Sequence, residues 1–172
     1  MNVNRTGATF VHSVQTIHDR LSATSAVPIQ LPLGQEGDHA GVIDLVEMKA
    51  YRYLDETMGS KYEVEEIPAD LKEDAQKAHD LMMEKVAEAA HEAGDDKLFE
   101  KYVAGEKPTV AEVKAGIRKA TIAMKLFPVI CGSAFKNKGV QPMLDAVVDY
   151  LPSPLDVPNT VANDPSTGEL VE

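Results

Sequence analysis

Residues 126–130 read Leu-Phe-Pro-Val-Ile, an unbroken apolar run, and the next ten read CGSAFKNKGV. A continuous apolar run of this length is the pattern of a strand buried on both faces, which points to a parallel strand in an α/β sheet. Open α/β folds place ligands in the loop at the carboxyl end of such a strand. Gly132 permits a tight turn, and the small residues Ser133 and Ala134 let backbone N–H groups approach a flat ligand. Lys136 and Lys138 are expected at the rim, with Gly139 releasing the chain into a helix. Val140, Leu144, Val147, Val148 and Leu151 then recur at helical spacing, and Pro152-Ser153-Pro154 ends the pattern. A plain β–α loop with two solvated lysines fits the same residues.

Phe10, Val14, Ile17 and Leu21 form one stripe of an amphipathic helix over about 7–21. Val27 to Leu33 alternates like a strand, although two prolines confine it to an edge or a short segment. Gly34 to Asp38 is a turn cluster. Gly41 to Tyr51 reads as one strand and Tyr62 to Ile67 as its hairpin partner, across the loop 55–60. From Pro68 the period becomes helical: Leu71, Ala75, Ala78, Met82, Val86 and Ala89 lead to a stop at Gly94. A short helix over 95–103 follows. Thr109 and Glu112 then have the form of a capping box before a helix over about 110–123. The ends of the chain thus read as an α/β sheet protein and residues 34–123 as an α+β insert. The tail to Glu172, rich in Pro, Asn, Asp and Thr, reads as a linker.

The formal net charge of −11 argues against unspecific nucleic-acid binding, which needs clustered Lys and Arg. It suits either solubility alone or a basic protein partner. Glu84, Glu88 and Glu92 share one helical face at i, i+4, i+8, where like charges cost a few tenths of a kcal/mol per pair. That face is either merely solvated or a docking surface for a basic protein. The single cysteine, Cys131, excludes an internal disulfide and reads as a small buried hydrophobe. The histidine spacings suit no metal site. No apolar run approaches the roughly 20 residues needed to cross a bilayer, and no signal-peptide core follows Met1, so a cytoplasmic protein is expected.

The stretch CGSAFKNKGVQPMLDAVVDYLPSPLDVP resembles the end of the GTPase domain of bacterial translation elongation factor G. So do VPIQLPLGQEGDHAGVIDLVEMKAYRY, EEIPADL and NRTGATF, covering nearly all of the chain up to Pro158. The resemblance implies the back half of a P-loop-type GTPase domain over 1–33 and 124–151. It also implies a G-prime insert over 34–123 and a linker over 152–172 towards a β-barrel domain. Ser133 and Ala134 would then be the fifth guanine-nucleotide motif, the Ala134 amide donating to the guanine oxygen, with Phe135 packing behind the loop. Asn4 falls where the base-reading Asn-Lys-x-Asp motif should end, and as an amide it is a poor substitute for that carboxylate. Glu84, Glu88 and Glu92 would face the basic C-terminal domain of the large-subunit stalk protein of the ribosome.

The implied function is GTP-dependent translocation of tRNA and mRNA on the ribosome, with GTP or GDP and Mg²⁺ held by the intact factor. The sequence has no Gly-x-x-x-x-Gly-Lys-Ser/Thr phosphate loop, so by itself the chain is expected neither to hydrolyse GTP nor to hold it tightly. No catalytic residue, metal ligand, membrane contact or sequence-specific nucleic-acid contact is expected in it, and its expected state is a monomer. The rival reading is a stand-alone acidic module that binds a basic ribosomal protein and has no enzymatic role.

Overall fold

Two segments far apart in sequence make the short parallel sheet that anchors the fold. The computed structural model describes residues 9–21, 25–54, 59–156, 162–163 and 170–171. Strand β1 (Ala26–Pro28) lies parallel to β6 (Phe127–Val129), with Val27 opposite Pro128. Helix α1 (Phe10–Leu21) lays Phe10 and Val14 against Val42 and Cys131. Between β1 and β6 the chain builds a second sheet and a helical layer.

The second sheet is antiparallel, in the order β2 (Gln30–Leu33), β3 (Gly41–Asp44), β4 (Lys49–Tyr53), β5 (Tyr62–Glu65). Pro32 is tolerated because β2 is the edge strand, where a missing N–H breaks no shared ladder. The sequence reads 41–51 as one strand, but the structure splits it into a hairpin. The Asp44 carboxylate accepts hydrogen bonds from the Val46 and Glu47 amides at 2.8 Å each, and Met48 takes φ +53°. A local side-chain acceptor of this kind offers the backbone a turn in place of an extended ladder. Apolar spacing alone does not reveal it.

Helices α2 (Lys72–Glu92), α3 (Asp96–Val103) and α4 (Val110–Ile122) form a helical layer in which α3 packs on α2 and α4, while α2 reaches β1 and α4 reaches β6. The expected stripe on α2 is buried at Ala75, Met82, Val86, Ala89 and Ala90. Gly94 turns the chain at φ +83° after α2. The capping box forms: Thr109 Oγ1 accepts from the Glu112 amide, and the Glu112 carboxylate accepts from the Thr109 amide at 2.8 Å. One contiguous core joins both sheets and the helices, through Val27, Ile43, Val86, Ile117 and Leu126. Full burial of each such aliphatic side chain contributes about 1.5–3 kcal/mol. Strands β7 (Ala162–Asn163) and β8 (Leu170–Val171) pair with each other near the end of the chain.

Two expectations fail in instructive ways. Only Leu126 of the apolar run is buried; Phe127 is 39 % exposed and Pro128, Val129 and Ile130 are half-buried. Among the described residues β6 has β1 as its only strand partner, so its other edge and part of its faces stay uncovered. Helix α5 (Val140–Tyr150) likewise buries Pro142 and Tyr150, while Leu144, Val147, Val148 and Leu151 face outward. It packs on α4 by the side opposite its apolar stripe, which leaves that stripe without a covering layer among the described residues.

Candidate functional site

The loop after β6 is a closed hairpin. The Ser133 amide donates to the Lys138 carbonyl at 2.8 Å and the Lys138 amide returns a bond to Ser133 at 3.0 Å. The Asn137 amide closes the turn onto the Ala134 carbonyl at 3.2 Å. Gly139 caps α5 at φ +86°, and its Cα side faces the Cys131 carbonyl so closely that a Cβ would lie 2.9 Å from that oxygen. Gly132 is equally confined: a Cβ there would lie 2.7 Å from the Lys138 carbonyl oxygen. Both glycines are therefore required by close backbone approach.

This hairpin borders an open depression of about 500 Å³, lined by Ile130 to Ala134, Asn137 to Val140, and Met143. Ser133 is buried, and its hydroxyl accepts from the Lys136 amide at 3.3 Å, which locks the start of the turn. Ala134 is exposed on the depression, and among the described residues its N–H has no acceptor. A backbone donor presented at the carboxyl end of a parallel strand can take a carbonyl oxygen from a planar ligand. Burial pushes the Cys131 thiol up to about 12, so the cysteine beneath the loop is not a nucleophile.

Three of the loop expectations need revision or lie out of reach. Lys138 is not at the rim: it is 5 % exposed, and its ammonium donates to the His39 carbonyl at 2.9 Å. Lys136 does remain outside, reaching the Gly37 carbonyl at 3.4 Å. Phe135 does not pack behind the loop in this structure but stands 90 % exposed at the tip of the turn closed by the Asn137–Ala134 bond. Asn4 lies outside the described residues.

Sequence reasoning missed the residues that fasten this loop. His39 is buried in the turn between β2 and β3, and among the described residues neither ring nitrogen finds a partner of good geometry. Burial lowers its pKa, opposed by the Gly34 carbonyl and reinforced by the charges of Lys138 and Lys136. Gln141, in the first turn of α5, donates to the Gly59 carbonyl at 3.0 Å and accepts from the Tyr53 hydroxyl at 3.1 Å. These partners lie 82 to 99 residues apart, and no spacing rule links them.

The acidic stripe of α2 sits at the other end of the parallel strands. Glu88 and Glu92 border a polar depression of about 350 Å³ together with Ser25 and Leu126, the residues that precede β1 and β6. The glutamates are not a bare run of like charge. Lys85 lies 2.9 Å from Glu88 and 3.4 Å from Glu84, and Lys125 lies 3.4 Å from Glu92. The hydrogen bond to Glu88 raises the Lys85 pKa, partly offset by burial. Three carboxylates against two ammoniums leave a weakly acidic, mostly exposed face, and such surface pairs contribute little to stability.

Among the described residues, no three His, Cys, Asp or Glu side chains are placed to hold a metal ion. No helix among them is long and apolar enough to cross a membrane.

No family model matches the chain. Its structure is similar to a crystal structure of a protein from Thermus thermophilus, with a TM-score of 0.72 and 29 % identity over 87 % of this chain. The match covers 21 % of that protein, so the chain spans about a fifth of the length of this solved relative. The fold they share is mixed α/β; among the described residues this chain has a parallel sheet (β1–β6), a four-stranded antiparallel sheet (β2–β5) and the short antiparallel pair β7–β8.

Proposed function

We propose that this chain is part of a ribosomal GTPase of the elongation factor G kind. It would supply the loop that contacts guanine and an insert that docks on the ribosome during GTP-dependent translocation. The observation that carries the reading is the Ala134 N–H, without an acceptor among the described residues, at a depression beyond the carboxyl end of β6. The small residues Gly132, Ser133 and Ala134 fit the edge and face of a planar base. They do not fit phosphates or Mg²⁺, for which the sequence has no phosphate loop; those groups would be held by residues beyond this chain.

The uncovered edge of β6 and the outward apolar stripe of α5 support a place within a larger α/β layer. The longer relative of the same fold supports it too. Glu84, Glu88 and Glu92 would meet the basic C-terminal domain of the stalk protein, in an encounter that weakens with salt.

Titration of the ¹⁵N-labelled chain with GDP and separately with ADP tests the base contact. GDP should shift the Ser133 and Ala134 amide resonances in the millimolar range while ADP leaves them in place. No response, or an equal response to both, overturns the guanine assignment. A salt-sensitive response of α2 to the stalk domain without any response to GDP would favour a stand-alone binding module.

A further inference from the structure

We propose that Lys138 and Gln141 are positioning residues, which set the Ser133–Ala134 backbone by fastening the loop to two turns of the insert. The identity of the ligand rests on the guanine reading above; the fastening itself does not. Four contacts converge. The Lys138 ammonium donates to the His39 carbonyl at 2.9 Å, and Lys136 reaches the Gly37 carbonyl at 3.4 Å. Gln141 donates to the Gly59 carbonyl at 3.0 Å and is itself held by the Tyr53 hydroxyl at 3.1 Å. Gly59 also lies flat on the loop: a Cβ there would sit 2.6 Å from Asn137 Cβ and 2.7 Å from the Lys136 carbonyl oxygen.

A solvated lysine in a plain β–α loop has no reason to be 5 % exposed. Burying an ammonium costs free energy unless it is hydrogen-bonded, and its bond to a main-chain carbonyl of the insert offsets that cost. Lys138 also carries both backbone bonds that close the hairpin onto Ser133. Its two ends therefore tie Ser133 to the turn at residues 37–39. Gln141 does the same for the turn at Gly59. Displacing either turn of the insert must move the loop, and a ligand that orders the loop must in turn stiffen both turns, because coupling between sites is reciprocal.

Amide hydrogen exchange on the 172-residue chain tests this without a ligand. Lys138→Met and Gln141→Leu should each raise exchange at the Ser133 and Lys138 amides about tenfold, the scale of one lost hydrogen bond. Val86 and Ile117, deep in the core, should keep their protection. Lys138→Arg, which keeps a cationic donor, should restore part of the loop protection. Should Lys138→Met not fold, Gln141→Leu carries the same test, and so does Gly59→Ala, whose Cβ would press on Asn137 and the Lys136 carbonyl and should raise exchange at the Ser133 and Lys138 amides likewise. Unchanged loop exchange overturns the proposal, and so does an equal rise in loop and core, which marks a merely structural role. GDP titration of the same samples separates the two readings. Faster loop exchange with no GDP response at Ala134 in the parent chain keeps the fastening and sinks the guanine contact. A GDP response that survives Lys138→Met undiminished keeps the guanine contact and sinks the positioning role.

Discussion

Replacing Gly139 by alanine isolates the energetic cost of a close backbone approach in the site. Gly139 sits at φ +86°, where an L side chain costs about 1–2 kcal/mol. Its Cβ would also lie 2.9 Å from the Cys131 carbonyl oxygen and 3.1 Å from Gly132 Cα, both backbone atoms that cannot rotate aside. Relieving such overpacking costs a further ~1–3 kcal/mol. Gly94 is the internal control: it has φ +83° but nothing within 4 Å of its Cβ site, so only the conformational cost applies. The entropy that alanine removes from the unfolded chain is common to both variants and cancels in the comparison. Gly139→Ala should therefore be less stable than Gly94→Ala by about 1–3 kcal/mol, a gap of roughly 2–12 °C in Tm at this chain length. Urea unfolding followed by far-ultraviolet circular dichroism measures both variants. Equal losses, to within about 0.5 kcal/mol, would refute the claim that loop closure against Cys131 requires a glycine.

Other outcomes follow from the same geometry. His39 is buried with a pKa below 6.5, so the unfolded chain binds the extra proton first. Its contribution to stability is present above that value and is lost as pH falls below it. Urea midpoints between about pH 7.5 and about pH 5.5 should fall more in the parent than in His39→Leu, and parallel curves would count against it. The Cys131 thiol, held near 12 by burial, should resist iodoacetamide in the native state and react on unfolding; rapid native labelling would show that the loop opens. Val148→Lys, at a position 77 % exposed, should change stability by less than about 0.5 kcal/mol. Tyr150→Ala, at a position 4 % exposed, should cost about 3–5 kcal/mol, and the reverse ranking would restore the apolar stripe as the packed face of α5.

The two candidate surfaces occupy opposite ends of the same pair of parallel strands. The hairpin with Ala134 follows β6, whereas Glu88 and Glu92 border the residues that lead into β1 and β6. A ligand at one end and a basic partner at the other would not compete for space.

Local chemistry was legible in the sequence wherever it acts over a few residues. The capping box at Thr109, the stop at Gly94, the buried stripe of α2 and the buried Cys131 all follow from neighbours within a turn or two, whereas the single strand read over Val27 to Leu33 divides between β1 and β2 in different sheets. The position of the Gly132–Gly139 loop after a strand follows from near neighbours too. What spacing did not reveal was which apolar faces find a covering layer. The stripe on α5 and the run 126–130 both look like buried surface, yet burial depends on neighbours in space, and among the described residues none covers them. Nor did spacing reveal that Lys138 and Gln141 turn inward: their partners, His39 and Gly59, are brought to them only when β6 pairs with β1 and the turns at residues 37–39 and Gly59 pack on the loop. Periodicity records what a segment can bury, whereas tertiary packing decides what it does bury, because the desolvation of an ammonium or a strand edge is settled by contacts that lie far away along the chain.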